Sequence, residues 1–297
     1  MSKTSFPGGL YVAATPLGHL ADITLRVREA LLLCDLIFAE DTRRTQALLH
    51  ALGIHRPQGG IASLHEHNES EVKVRVLEAL AQDHSVLLVS DAGTPAIADP
   101  GFQVVHAAWL AGFRVTPLPG PSAVITALSV CGFARWPMTF WGFAPAKQSA
   151  RLEWLEKIQQ VGGLAVIFET PHRAVEAMED CARIFGPTTP MLFGRELTKQ
   201  HETLIRDSIE KVQAQVAQQK LQDPGSAKGE MVWVFDLGEK AQGQANEAQL
   251  KSWASLLAAE MPASAAAKCL VKMLGVNRDE AYSAVLAAGK HTVNVKE

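Results

Sequence analysis

The sequence predicts an α/β protein, with two α/β domains followed by a small helical, helix-turn-helix-like domain. Three observations carry that expectation. A chain of 297 residues exceeds one ordinary core. From Leu10 to Cys131, short apolar runs alternate with helical patterns, as in a mostly parallel sheet with crossover helices. The alternation pauses around Gly132–Pro137 and begins again, and beyond Leu250 only helical patterns remain. The boundaries read as 1–132, 133–239 and 245–297.

The strands of the first domain are LYVAAT (10–15), DLIFAE (35–40), IASLHE (61–66), SVLLVS (85–90) and RVTPLP (114–119). Helical spacing fills Asp22–Leu33, Arg43–Leu52, Glu69–Gln82 and Gly101–Ala111. Asp22 stands where an N-cap acceptor belongs, and in DPG Asp99 is expected to cap a helix whose first turn holds Pro100. The second domain offers MTFWGF (138–143), LAVIFE (164–169), PMLFGR (190–195) and MVWVFDL (231–237), with helices over Ala150–Gln160, Pro171–Phe185 and Ser208–Leu221. LQDPGSAKG (221–229) reads as a mobile loop and KAQGQANEAQ (240–249) as a linker. The tail, to Gly289, reads as two short helices broken at LGVNRDE.

Hydrophobic content of 47% and charged content of 20% describe a folded chain, and no apolar run approaches the ~20 residues that span a bilayer. The N-terminus forms no signal-peptide core before TPLG. Cys34, Cys131, Cys181 and Cys269 are scattered without a CxxC, as expected of reduced thiols in a cytoplasmic protein. A net charge of −3 gives no whole-protein attraction to DNA or RNA, so a nucleic acid must be held by local patches.

SDAGTPAIADPG (90–101) marks the first ligand loop. Phosphate loops pair backbone amides with a cation, and this one has two acids and no cation. The first βα turn reads TPLGH rather than GxGxxG, so the dinucleotide fingerprint is absent. Asp91 and Asp99 lack a third neighbouring carboxylate, and the HxH pair His65 and His67 lacks a CxxC or HExxH partner; the sequence gives no metal site. No GxSxG motif is present. What remains is a cationic, hydroxyl-bearing ligand with flat apolar parts, and S-adenosylmethionine answers that description.

ATPLGHLADIT, AEDTRRT, SLHEHNE, SDAGTPAIADPG and PLPGPSAVITAL, followed by GFAPAK, FETPHR, GRELTKQHE and KGEMV, occur in this order over nearly the whole chain. This series resembles the tetrapyrrole-methylase superfamily, the class III S-adenosylmethionine-dependent methyltransferases. Within it, the match is to the bacterial enzymes that methylate small-subunit ribosomal RNA. The resemblance implies a cofactor cleft between two α/β domains, a homodimer, and 2′-O-methylation of cytidine-1402 of 16S rRNA in the 30S subunit. By position it implies cofactor contacts from Pro16, Leu17 and Gly18, from Asp91, Ala92, Gly93, Thr94, Pro95 and Ile97, from Ser122 and Ala123, and from Phe168 and Glu169. His19 departs from the pattern, which commonly has Asn there.

A ribose 2′-hydroxyl needs alignment and a proton acceptor. The acceptor candidates are Glu40, Asp41, His65, Glu69, Glu196 and Lys199, with His67, Glu169 and Glu202 beside them. For Asp41 the alternative is capping a helix, and for Glu69 opening one. Arg43 and Arg195 suit RNA phosphate, although an ion-pair cluster accounts equally for Arg195 and its charged neighbours. From Pro262 to Lys296 five basic residues, including Lys268, Lys272 and Arg278, face only Asp279 and Glu280, which makes this tail an RNA-contact candidate or a solvated helical face. Trp136, Trp141, Phe143 and Trp154 are candidates for base stacking or for core packing. The alternatives kept open are a corrin or tetrapyrrole C-methyltransferase and a noncatalytic RNA-binding or ribosome-assembly factor.

Overall fold

The computed structural model describes residues 6–56, 60–222, 229–239 and 247–292. Most of the expected mobile loop and linker, and Lys228 and Lys296, lie outside the described residues. Residues Met1–Gly238 form one compact unit and Glu239–Glu297 a second.

Within the first unit, β1 (Gly9–Ala13), β2 (Leu36–Ala39), β3 (Ile61–Ser63), β4 (Ser85–Val89) and β5 (Val115–Leu118) make a sheet ordered β3-β2-β4-β1-β5. All of its pairings are parallel. Its central strand β4 is buried throughout, which is why SVLLV reads as a continuous apolar run rather than an alternating one. One face is covered by α1 (Leu25–Leu33) and α2 (Thr42–Ala51), through Val27, Leu31 and Leu49. The other is covered by α3 (Glu69–Ala81) and α4 (Phe102–Leu110), through Val72, Val76 and Val104.

Two expected caps are corrected here. Thr24, not Asp22, caps α1: its Oγ1 accepts from the Val27 amide at 3.3 Å, while Asp22 closes a short 3-10 turn. Asp99 does not cap α4. Gly101 occupies the N-cap position with φ +122°, and Oε1 of Glu69 accepts from the Gly101 and Gln103 amides at 2.9 and 2.8 Å. The helix start is thus satisfied from α3, by a buried side chain distant in sequence.

The second sheet contains β6 (Met138–Phe143), β7 (Leu164–Glu169), β8 (Pro190–Arg195), β9 (Thr203–Ser208) and β10 (Met231–Asp236), ordered β6-β7-β10-β8-β9. Only β6–β7 is parallel; the remaining pairs are antiparallel. α6 (Gln148–Val161), α7 (Ala174–Phe185) and α8 (Ile209–Gln222) supply Leu155, Ile158, Met178 and Val212 to one face, around Trp233. The opposite face takes α5 (Ala123–Cys131), whose Ala127 and Cys131 pack on Val166, Leu192 and Val234. α5 therefore joins the second sheet by packing, although the sequence reading puts it before the break at residue 132. Strand β9 and helix α5 have no counterpart among the elements expected from the sequence.

Trp141 and Trp154 meet edge-on and pack against the second core, which takes them out of the stacking candidates. Cys34, Cys131 and Cys181 are buried free thiols and Cys269 is a half-buried one.

The C-terminal unit comprises α9 (Glu247–Glu260), α10 (Ala263–Leu274) and α11 (Arg278–Thr292) around Ala254, Leu270, Val276 and Val285. This is three helices rather than two. α10 ends on left-handed Gly275, and the Asn277 side chain accepts from the Glu280 amide at 2.7 Å to start α11. Lys268 and Lys272, four residues apart on α10, are exposed, as is Arg278. Among the described residues no helix is long and apolar enough to cross a membrane.

Candidate active site

The carboxyl ends of β1, β2 and β4 feed three loops toward one cavity of about 420 Å³, closed on its other side by the second sheet and α5. In an open parallel sheet this is the edge where ligands sit. Of the residues expected at the cofactor, Leu17, Asp91, Ala92, Gly93, Thr94 and Ile97 line it. So do Ser122, Ala123 and Phe168. Pro16, Gly18 and Pro95 are in the same loops but outside the lining. Glu169 is a correction: it is buried behind the wall, where its Oε1 takes the Thr170 amide at 2.7 Å and Arg173 Nη2 at 2.8 Å.

Local backbone geometry explains the glycine and alanine content of SDAGTPAIADPG. Gly93 has φ +77° and exchanges hydrogen bonds with Thr15 of the first loop, at 2.9 and 3.0 Å. A Cβ there would approach Leu17 to 3.2 Å. Ala96 and Ala98 are left-handed, φ +63° and +65°, on either side of Ile97. Across the cleft, Glu196 and Thr198 are left-handed on either side of Leu197, at +52° and +63°. Both central side chains line the cavity, and such backbone costs about 1–3 kcal/mol per residue, as is usual at ligand clamps. The Leu197 loop also meets the first βα loop: Thr198 Oγ1 accepts from the His19 amide at 3.1 Å, and Gly18 packs on Lys199 so closely that a Cβ would overlap it. His19 additionally accepts the Ala21 amide through Nδ1, at 3.3 Å, which gives this departure from the family pattern a local structural role.

The cavity is electrostatically two-sided. At the first-lobe end stand Glu40, Asp91 and Asp99, with Arg44 beside them. Burial raises the pKa of Glu40 and of Asp91 above the ordinary carboxylate range. Asp99 goes furthest, pushed up to about 7 by burial and then by the neighbouring charges of Glu40, Asp91 and Glu230. Asp91 accepts the Asp41 amide at 3.0 Å and pairs with Arg44 Nε at 3.4 Å, while Glu40 accepts the Asp91 amide at 3.3 Å. Ile97, Val124, Phe143 and Phe168 form the apolar side, with the two Phe rings edge-on at 5.4 Å.

The catalytic candidates separate sharply. Glu40 and Lys199 line the cavity. Asp41 caps α2 through the Arg43 amide at 2.8 Å and grips the Arg43 guanidinium through both oxygens; these bonds hold its pKa at about 2. Arg43 itself remains almost fully exposed. Glu69 is withdrawn as an acceptor candidate because its carboxylate serves the α4 amides. His65 is exposed beyond β3 and outside the cavity lining, its amide bonded to Asn68 Oδ1 at 2.8 Å. Lys199 Nζ is held by Glu196 at 2.8 Å and Glu230 at 3.0 Å. Burial would lower its pKa, but those two bonds outweigh burial and keep it a cation. Burial likewise fails to raise Glu196, which Lys199 and the Glu230 amide hold low.

Arg195 is another correction. It is buried at the end of β8, and its Nη2 donates to the His201 carbonyl and to Thr203 Oγ1, both at 3.1 Å. It orders its own loop and has no exposed guanidinium for a phosphate. The sequence reading missed Arg44, Leu197 and Glu230, and it gave Asp99 a capping role. The first three lie inside the motifs AEDTRRT, GRELTKQHE and KGEMV, and Asp99 stands two residues after the expected contact Ile97, in the same loop.

A family model described as "Tetrapyrrole (Corrin/Porphyrin) Methylases" matches residues 9–213. A protein of Xylella fastidiosa named ribosomal RNA small subunit methyltransferase I is 41% identical over 278 residues, 94% of this chain and 99% of its own. Proteins of the same name from Haemophilus influenzae and Escherichia coli O157:H7 are 38% and 39% identical, over 96% of this chain and 98% and 97% of theirs. Among solved structures, the methyltransferase CobJ superposes with a TM-score of 0.57 at 17% identity, over 77% of this chain and 93% of its own. Diphthine synthase does so with 0.57 at 16%, over 76% and 88%. These two likenesses concern the fold. The chain belongs to the tetrapyrrole (corrin/porphyrin) methylase family, in the branch of proteins named ribosomal RNA small subunit methyltransferase I.

Proposed function

We propose that this chain is an S-adenosylmethionine-dependent methyltransferase of small-subunit ribosomal RNA, acting in the cytoplasm on the ribose 2′-hydroxyl of cytidine-1402 in the 30S particle. The observation that carries the reading is the likeness to proteins of that name along 94–96% of the chain, well past the residues matched by the family model.

The cavity fits the cofactor's chemistry. Asp91 suits cationic groups, Thr94 and Ser122 offer hydroxyls, and Ile97, Val124, Phe143 and Phe168 suit a flat base. When bound, S-adenosylmethionine supplies an electrophilic methyl group. The chain must orient the ribose hydroxyl, exclude water and receive one proton. Leu197, on the loop that meets the first lobe, helps to shut out water, and Lys199 is a fixed cation at the rim. Arg43 and Arg44 offer exposed guanidinium groups beside the acidic end for RNA phosphate, and Lys268, Lys272 and Arg278 of the C-terminal helices offer more. A homodimer completes the reading, since Phe102, Trp109 and Leu110 of α4 and Ile125 of α5 expose large apolar surface. Light scattering on the purified chain checks that point.

Methyl-labelled S-adenosylmethionine offered to 30S subunits, to free 16S rRNA and to a corrinoid precursor tests the main proposal. Label is expected in one rRNA ribose of the 30S particle, in a dinucleotide resistant to alkaline hydrolysis. Label in the corrinoid alone contradicts it.

A further inference from the structure

On the proposed reading, some group must take the proton of the ribose hydroxyl, and the side chains around the cavity differ in what they already hold. Asp41 is occupied by Arg43 and its amide, Glu69 by the start of α4, Glu169 by Arg173, and Glu196 by Lys199 and the Glu230 amide. Lys199 is clamped as a cation. Asp91 carries the Asp41 amide and Arg44, and Glu40 carries the Asp91 amide. Asp99 lines the same wall with neither an amide nor a cation on its carboxylate among the described residues. Among the described residues its polar partner is the Ser90 hydroxyl, which also reaches the Ala92 and Gly93 carbonyls at 3.3 Å. Because Glu69 caps α4 in its place, Asp99 is left facing the cavity.

We propose that Asp99 is the general base of the transfer, receiving the proton of the attacking ribose hydroxyl on its carboxylate. This assignment rests on the rRNA methyltransferase reading. As the hydroxyl O–H bond breaks, its proton goes to an Asp99 oxygen. The ribose oxygen's electron pair forms the new O–CH₃ bond, and the C–S bond breaks with its pair remaining on sulfur. The proton leaves Asp99 to solvent afterwards. The groups facing Asp99 are Glu40, Asp91 and Glu230, all of which favour its protonated form, and Ser90, which favours the carboxylate. Together they set its affinity for a proton near neutrality, where a base of this kind works best.

The test uses the full chain, with Asp99→Asn and Asp99→Glu, and three readouts. The first is the pH dependence of methyl transfer to 30S subunits, the second is S-adenosylmethionine affinity by calorimetry, and the third is thermal unfolding of the ligand-free chain against pH. Wild-type transfer is expected to climb with pH to a plateau, with its midpoint near 7. Asp99→Asn should lose that limb and about 100-fold or more of the rate, with cofactor affinity within about threefold of wild type, and Asp99→Glu should recover part of the rate. Asp99→Asn should also unfold at a higher temperature than wild type at pH 8 and at the same temperature near pH 4, which shows that it folds. Transfer by Asp99→Asn within about threefold of wild type, with the same pH limb, overturns the assignment and leaves the functional reading standing. Cofactor affinity falling as far as the rate also overturns it, by making Asp99 part of the cofactor seat. A wild-type chain that labels no rRNA overturns the reading and the assignment together.

Discussion

At the second-lobe rim of the cavity, Lys199 bridges Glu196 and Glu230 at 2.8 and 3.0 Å, whereas across the cleft Glu40, Asp91 and Asp99 share one wall with Arg44 as their cation. Both rims are rich in acids, and both use paired left-handed residues to aim an apolar side chain inward. They differ in charge balance. In the second lobe, pairing lowers Glu196 and raises Lys199, so those groups hold their charges near neutral pH. In the first, burial and mutual repulsion raise three carboxylates, so a proton can come and go. Perturbation of this second kind is what ligand chemistry uses, while the paired rim builds shape.

The comparison can be broken from either side. The largest expected effect lies in the second lobe, where the Arg151 side chain is buried against Asp180 at 2.7 Å and holds the Pro145 and Ala146 carbonyls behind Phe143. Arg151→Ala should cost about 3–5 kcal/mol in denaturant unfolding, because it strands a buried carboxylate. Next comes Asp91→Ala, expected to weaken S-adenosylmethionine binding by about 10- to 100-fold in calorimetry while leaving the fold intact.

Glu69→Ala should remove the cap that α3 gives α4 and destabilise the chain by about 1–2 kcal/mol. The pH dependence of stability follows from Asp99. Folding raises its pKa from 3.8 to about 7, so between those values the folded chain keeps a proton that the unfolded chain has released. Stability is therefore lost as pH rises through that window, by about 1–2 kcal/mol once solvent screening of a partly exposed group is allowed for. Asp99→Asn should remove that slope. Smallest is Arg43→Ala: its bidentate pair with Asp41 is solvent-exposed, and the change should leave the midpoint of thermal unfolding almost unmoved.

Interior strands of both sheets were legible because a buried strand is apolar at nearly every position, as VLLV in β4 and LAVIF in β7 are. Strand β9 was not, since TLIRDS is an edge strand with only Ile205 buried. Helix α5 was hidden by PGPS, which reads as a loop signal although Ser122 is the N-cap residue. The first-lobe wall of the cavity was legible through resemblance, because its loops are short and local. The misread residues are those whose partners lie far along the chain. DPG is a sound local cap signal, and nothing near it in sequence announces that Glu69 will reach those amides instead. Arg195 resembled a surface cation, but the end of β8 is buried, so its guanidinium must find protein partners, the His201 carbonyl and Thr203 among them.

The claim that the first-lobe acids are held ready for proton transfer is tested most directly by carboxyl-carbon NMR titration of the ligand-free chain, with Asp99→Asn used to assign the signal. The account predicts that the Asp99 carboxyl titrates near 7, with Glu40 and Asp91 above their ordinary values. An Asp99 carboxyl titrating near 4, as in an exposed aspartate, would contradict it.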